Sequence, residues 1–191
     1  MNKKEIIRFF DERASQWDAE MVFNASVVEQ ILDNAHITKG IHVLDVACGT
    51  GVLFPEYLKR DVASITAIDI SSEMVRIARE KFPQIDILCG DAERFSFPRK
   101  FDRIMIYNAF PHFPNPEALI RNLSRHLASE GTITIAHSMS REALQRHHAD
   151  RADQVSVELP ELEILKEMLA PYVQVETAIS NERMYQITGT I

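Results

Sequence analysis

Val43–Gly51 reads VLDVACGTG, a short apolar run that passes into a loop of small residues. Eighteen residues past Gly51 stands Asp69, at the end of a second apolar run, SITAID. Strand, glycine loop, helix, strand and acid in that order form the front half of a nucleoside-binding α/β unit. The arrangement brings main-chain N–H groups against a small ligand and sets a carboxylate where a ribose would lie.

The pattern continues outward from this stretch. Apolar runs predict strands at His42–Val46, Ile65–Asp69, Asp86–Leu88, Phe101–Tyr107 and Thr132–His137. Helical periodicity predicts helices over Val52–Lys59 and Ser72–Phe82, with Ser71 as N-cap of the second. Asn115-Pro116 opens another helix, whose apolar face is Leu119, Ile120, Leu123 and Leu127, and Gly131 is expected to end it. A polar helix from Arg141 to about Asp150 and a helix over Pro160–Ala170 follow. Strands Val173–Ile179 and Met184–Thr190 come last, joined by a tight turn at Ser180–Glu182. Upstream, helices are expected over Lys3–Asp18 and Ala25–Ala35. The expected fold is an α/β three-layer sandwich, with a seven-stranded, mostly parallel sheet and an antiparallel C-terminal hairpin. No repeat or linker interrupts the 191 residues, so residues 1–191 read as one domain.

Composition narrows the ligand. Acids outnumber bases 28 to 21, for a formal charge of −7, and no basic stripe is present to neutralise phosphates. Nucleic acid is therefore not expected as a partner. The apolar runs are too short to span a bilayer, and Cys48 and Cys89 suit a reducing compartment; a cytoplasmic protein without membrane contact, monomer or homodimer, is expected.

A dinucleotide fingerprint needs three glycines. Gly49 and Gly51 supply two, but Phe54 stands at the third position, and Asp45 in the strand end would repel a diphosphate. A cationic ligand without phosphate fits instead. Here the chain resembles a class I S-adenosylmethionine-dependent methyltransferase: VLDVACGTG is similar to the first motif, AIDIS (Ala67–Ser71) to the acidic second strand, GDAERFSFP (Gly90–Pro98) to the adenine segment and FDRIMIYNAFPHF (Phe101–Phe113) to the strand and loop facing the methyl group. FFDERASQWD (Phe9–Asp18) resembles the opening of the ubiquinone/menaquinone C-methyltransferase-like small-molecule group.

The resemblance implies S-adenosylmethionine as cofactor, S-adenosylhomocysteine as product and a small-molecule acceptor. It implies that Ala47, Gly49 and Gly51 wrap the methionine part and that Asp45 orients the ammonium. Asp69 would take the ribose hydroxyls, with Ile70 on the adenine and Met74 nearby. Asp91 would take the adenine amino group beside the Ala92 N–H, and Asn108 would sit close to the transferring methyl. It further implies that residues 1–38 form a helical lid, part of it mobile without ligand, in which Phe9, Phe10, Trp17 and Phe23 face the cofactor or pack as core. Single residues here also have plainer uses: Asp69 as a helix cap, Gly90-Asp91 as a turn.

Four histidines fall near the carboxyl edge of the sheet: His112, His137, His147 and His148. His112 and His137 are candidate catalytic residues with Asn108, as a general base or acceptor-binding group. A hydrogen-bonded core role for His137 stands beside this. So does a bound transition metal held by His137, one of the pair and His112, possible in type but not favoured. Phe110 and Phe113 are expected to line an apolar acceptor pocket. A non-catalytic cofactor-binding factor and a nicotinamide-dependent oxidoreductase are the alternative functions.

Overall fold

The computed structural model describes residues 2–150 and 155–191, with 147–150 described by backbone alone. In chain order the elements are α1 (Lys3–Arg13), a 3-10 turn (Ala14–Gln16), α2 (Trp17–Glu20), α3 (Ala25–Asn34), β1 (His42–Val46), α4 (Phe54–Lys59), β2 (Ser64–Asp69), α5 (Ser72–Lys81) and β3 (Asp86–Cys89). Then come β4 (Phe101–Tyr107), a 3-10 turn (Phe110–His112), α6 (Pro116–Ser124), β5 (Leu127–His137), α7 (Arg141–Asp150), α8 (Leu162–Leu169), β6 (Gln174–Ser180) and β7 (Tyr185–Thr190).

The strands form one sheet in the order β3-β2-β1-β4-β5-β7-β6. β1 to β5 pair parallel, and β7 enters antiparallel between β5 and β6. This is the expected sandwich, and the strand order reverses direction at β1 and β4. Side-chain parity explains the two cores. Leu44, Val46, Ile104, Ile106, Ile133 and Ile135 point to the face covered by α6 and α8. Val43, Ala67 and Met105 point to the face covered by α3, α4 and α5.

Three boundaries depart from the pattern for physical reasons. α4 begins at Phe54 rather than Val52, because Pro55 has no N–H to extend the ladder back toward Gly51. The helix after Asn115 stops at Ser124, and Leu127 already pairs with Phe101 in the sheet. Gly131 does not end that helix; it lies within β5, where the register shifts between Phe101 and Arg103. A Cβ on Gly131 would meet the Phe101 carbonyl at 3.0 Å and that of Ala128 at 2.8 Å, which is why the bulge carries glycine. The closing turn falls one residue later than expected: the Asn181 side chain accepts the Arg183 and Met184 N–H groups.

α3 belongs to the sandwich, with Val27, Val28, Ile31 and Leu32 all buried in the second core. The segment from α1 to Met21 instead lies over the carboxyl ends of the strands, against α5 and a cavity. No helix among the described residues is long and apolar enough to cross a membrane.

Candidate cofactor site

A recessed cavity of about 170 Å³ opens where the carboxyl ends of β1, β2, β3 and β4 meet α1 and α2. In open parallel sheets this is where ligands bind, at the point of reversed strand order. Ala47 leaves β1 with φ 55° and Asn108 leaves β4 with φ 53°. Such left-handed non-glycine residues cost on the order of 1–3 kcal/mol each and persist where surrounding structure holds them. Both line the cavity.

The glycine loop explains its own composition. Gly49 has φ 54°, and a Cβ there would meet only Trp17 Nε1, at 3.8 Å, so its open face is turned to the cavity and the indole. Gly51 has φ 89°, and a Cβ there would lie 2.5 Å from Phe54 Cδ2. Phe54 is fully buried, packed on Gly51 and edge-on to Phe82 at 5.2 Å. The residue that replaces the third glycine thus fills the space a helix would need to approach a pyrophosphate.

Asp69 is the hinge of the site. Its Oδ2 accepts the Gly49 N–H at 2.8 Å and its Oδ1 the Ser71 N–H at 2.9 Å. The Ile70 N–H is a third donor to it, which leaves the carboxylate lone-pair capacity for a further donor. Burial pushes its pKa up to about 6, against the pull of the backbone N–H groups and with repulsion from Asp11. Ile70 and Met74 line the wall beside it. At the far end, Asp91 and Ala92 line the cavity after β3.

Asp45, Gly51 and His137 do not line it. Asp45 shares the strand parity of Val43, so its carboxyl points toward α4 and lies beneath the loop, 3% exposed. Burial raises its pKa to about 8; the neighbouring Tyr57 hydroxyl opposes the rise, and Asp69 adds to it. Tyr57 Oη itself stands outside full hydrogen-bond geometry. His137 is buried in β5, paired in register with Tyr185 on β7. Its alternating parity sends the ring under the sheet's covering helices rather than to the cavity.

On the opposite wall stand Tyr107, Asn108, His112 and Phe113. Asn108 is fixed by Ser138, whose N–H it accepts at 2.9 Å and whose hydroxyl accepts its amide at 3.1 Å. His112 Nδ1 lies 2.9 Å from the Val155 carbonyl. A carbonyl only accepts, so Nδ1 carries hydrogen and the neutral ring bears its lone pair on Nε2. Phe10 of α1 meets His112 edge-on at 5.0 Å and Trp17 at 5.5 Å, so the N-terminal segment completes an aromatic wall. Phe110, expected beside them, is turned into the first core by the 3-10 turn and is 2% exposed. Phe23 is 41% exposed and does not line the cavity.

Polar ties hold the N-terminal segment across the cavity. Asp11 accepts the Ser71 hydroxyl at 2.5 Å and the Glu73 N–H at 3.2 Å, and Asp18 accepts Thr50 Oγ1 at 2.5 Å and Lys81 Nζ at 2.7 Å. Lys3 bonds Asp91 at 2.5 Å and also Glu93. Lys3, Glu93, Met21 and Tyr107 are cavity residues that pattern reasoning missed. Their only sequence signal is adjacency to motif residues, and Lys3 has none. His147 and His148 have side chains outside the described residues; among the described residues no cluster of three His, Cys, Asp or Glu is placed to hold a metal ion.

The sheet order and the flanking helices are those of the Rossmann-like methyltransferase fold. Residues 43–131 match the family described as methyltransferase domain. Over 139 residues the chain is 29% identical to malonyl-[acyl-carrier protein] O-methyltransferase of Priestia megaterium, covering 70% of this chain and 51% of the relative. It is 35% identical over 103 residues to ubiquinone biosynthesis O-methyltransferase of Xanthomonas campestris pv. campestris, covering 51% and 43% respectively. The chain thus spans about half the length of the curated relatives it matches. The structure of a DhpI-SAM-HEP complex superposes with TM-score 0.78 at 20% identity, covering 97% of this chain and 96% of that one. The matched stretch contains the glycine loop, Asp69, Asp91 and Asn108, and its likeness to methyltransferases is the one the motifs implied.

Proposed function

We propose that this chain transfers a methyl group from S-adenosylmethionine to a small-molecule acceptor. The observation that carries the reading is Asp69: a buried carboxylate pinned by the Gly49 and Ser71 N–H groups, facing a cavity bounded at its far end by a second acid, Asp91. The residues present suit this group. Gly49 leaves room for close main-chain approach, Asp69 retains acceptor capacity for a ribose hydroxyl, and Phe54 closes the space a diphosphate would need.

Bound there, S-adenosylmethionine would supply a methyl on a sulfonium, already activated for in-line displacement. The chain's own residues then have modest work to do. Asp69, Ile70 and Met74 would hold the nucleoside, and Ala47, Gly49 and Gly51 would shape the loop around the methionine part. Asp45, buried beneath the loop with its pKa raised to about 8, would be protonated at neutral pH and would support the loop from below rather than attract the ammonium by charge. Asn108 and the aromatic wall of Phe10, Trp17 and Phe113 would orient the acceptor and exclude water, which is the larger part of catalysis in such transfers. His112 would take a proton on Nε2 where the acceptor must lose one. His137, away from the cavity, would act at most through its neighbours. The segment from α1 to Met21 serves as the lid, with α3 as its base in the sandwich.

Thermal unfolding with S-adenosylhomocysteine against NAD tests the cofactor. A ligand at a hundred times its Kd stabilises the native state by about 2.7 kcal/mol, so S-adenosylhomocysteine raises the Tm and NAD does not. Stabilisation by NAD alone overturns the reading. Labelled S-adenosylmethionine in a native metabolite extract then identifies the acceptor, and tight cofactor binding without any labelled product favours a non-catalytic binding factor.

A further inference from the structure

At the adenine end of the cavity, two carboxylates stand side by side and one cation joins them. Asp91 Oδ2 takes Lys3 Nζ at 2.5 Å and Arg94 Nε at 3.2 Å. Glu93 gives one oxygen to Lys3 and the other to the Asn115 N–H at 2.9 Å, at the cap of α6. Arg94 is 79% exposed and contributes little, whereas Lys3 and Asp91 are 26% and 23% exposed and Glu93 only 6%. Partial burial pulls the Lys3 ammonium down, but its bonds to the two acids outweigh that and leave its pKa above the ordinary lysine value. Asp91 Oδ1, by contrast, receives only the Glu93 N–H among these donors, at 3.1 Å, and keeps a lone pair.

The division of labour between the two oxygens is what matters. We propose that Lys3 is a positioning residue of the cofactor site: it draws Oδ2 of Asp91 and the carboxylate of Glu93 together, leaving Oδ1 to accept the amino group of an adenine, and fastens α1 over that ring. The proposal rests on the cofactor reading above. It makes the first turn of α1, 88 residues away in sequence, part of purine recognition. Without the ammonium, Asp91 and Glu93 repel each other across a few ångströms of partly dry space, and the Asp91 rotamer is no longer fixed. Lys3 does not touch the reacting atoms, so its effect is on binding and base selection.

The test uses the full chain with Lys3→Met, which keeps the apolar stem, Lys3→Arg, which keeps the charge, and Glu93→Gln as an independent cut in the same network. Calorimetric titrations use S-adenosylhomocysteine and S-inosylhomocysteine, in which a carbonyl replaces the adenine amino group. Lys3→Met is expected to weaken S-adenosylhomocysteine about tenfold, as loss of one charge-anchored contact implies, and to change S-inosylhomocysteine little, so that the preference between them collapses. Lys3→Arg should stay within about threefold of wild type, and Glu93→Gln should shift the preference in the same direction as Lys3→Met. Unchanged affinity and preference in Lys3→Met overturn the proposal, and so does an equal loss for both ligands, which marks a purely structural residue. Failure of the wild-type chain to bind either ligand is a different outcome: it removes the cofactor reading, and this proposal falls with it.

Discussion

Between Ala47 and Met74 the cavity is walled by main chain and by one pinned carboxylate, carried on adjacent parallel strands. Between Tyr107 and Pro114 it is walled by side chains on a loop, and these are completed by Phe10 and Trp17 from the start of the chain. The first wall tolerates little change, because its geometry depends on backbone dihedrals and on a fully buried phenylalanine. The second can exchange side chains without disturbing the sheet. A domain built this way can keep one ligand constant while the other varies, in line with relatives whose names differ as much as malonyl-[acyl-carrier protein] O-methyltransferase and ubiquinone biosynthesis O-methyltransferase.

Substitutions that strike one wall should leave the other's property intact. The largest effect is expected from His112→Asn on the loop wall: turnover of the identified acceptor falls by about 10²–10⁴, the range for loss of a general base. Isothermal titration should show S-adenosylhomocysteine affinity in that variant within about twofold of wild type, if the imidazole acts on the proton rather than on the cofactor. A parallel loss of cofactor affinity would erase the distinction between the walls. On the other wall, Gly51→Ala places a Cβ against Phe54 at φ 89°, and urea unfolding should show a loss of about 3 kcal/mol from strain and overpacking combined.

Asp69→Ala should weaken S-adenosylhomocysteine by about 1–3 kcal/mol, read by the same titration. Undiminished affinity there would dismiss the ribose assignment. The last effect is on pH dependence without ligand. Asp45 and Asp69 have pKa values raised to about 8 and about 6, so the folded chain holds protons that the unfolded chain releases. Their stabilising contribution is full below the ordinary aspartate pKa and is lost as pH rises toward 8. Tm should therefore decline from pH 5 to pH 8, and Asp45→Asn should flatten that decline. An equally steep decline in the variant would mean that Asp45 is not the group responsible.

The contrast between the walls also explains what the sequence disclosed. β1 and β4 lie where their apolar runs placed them, because a buried strand between turn signals leaves a local pattern. Ala47, Gly49, Asp69 and Asp91, named by the motif resemblance, all line the cavity because each stands at or just behind the end of a parallel strand. Gly131 was misread because a glycine inside a bulged strand and a glycine after a helix look alike until the pairing of Phe101 with Leu127 is known. Asp45 sits in a motif, yet strand parity turns it beneath the loop instead of into the cavity. Lys3 and Glu93 meet across 90 residues, and no local period records such a contact. The histidine cluster divided once parity and the 3-10 turn were in view, with His112 on the cavity and His137 under the sheet.

Trp17 is the sole tryptophan of the chain, and its indole nitrogen stands 3.8 Å from where a Gly49 side chain would begin. Excited selectively, the protein therefore emits from a single place, above the glycine loop. Ligand arrival, departure and movement of the N-terminal segment all change the surroundings of that one fluorophore. Stopped-flow emission on the unlabelled, unmutated chain can thus time how fast the cavity opens and fills, separately from any chemistry that follows.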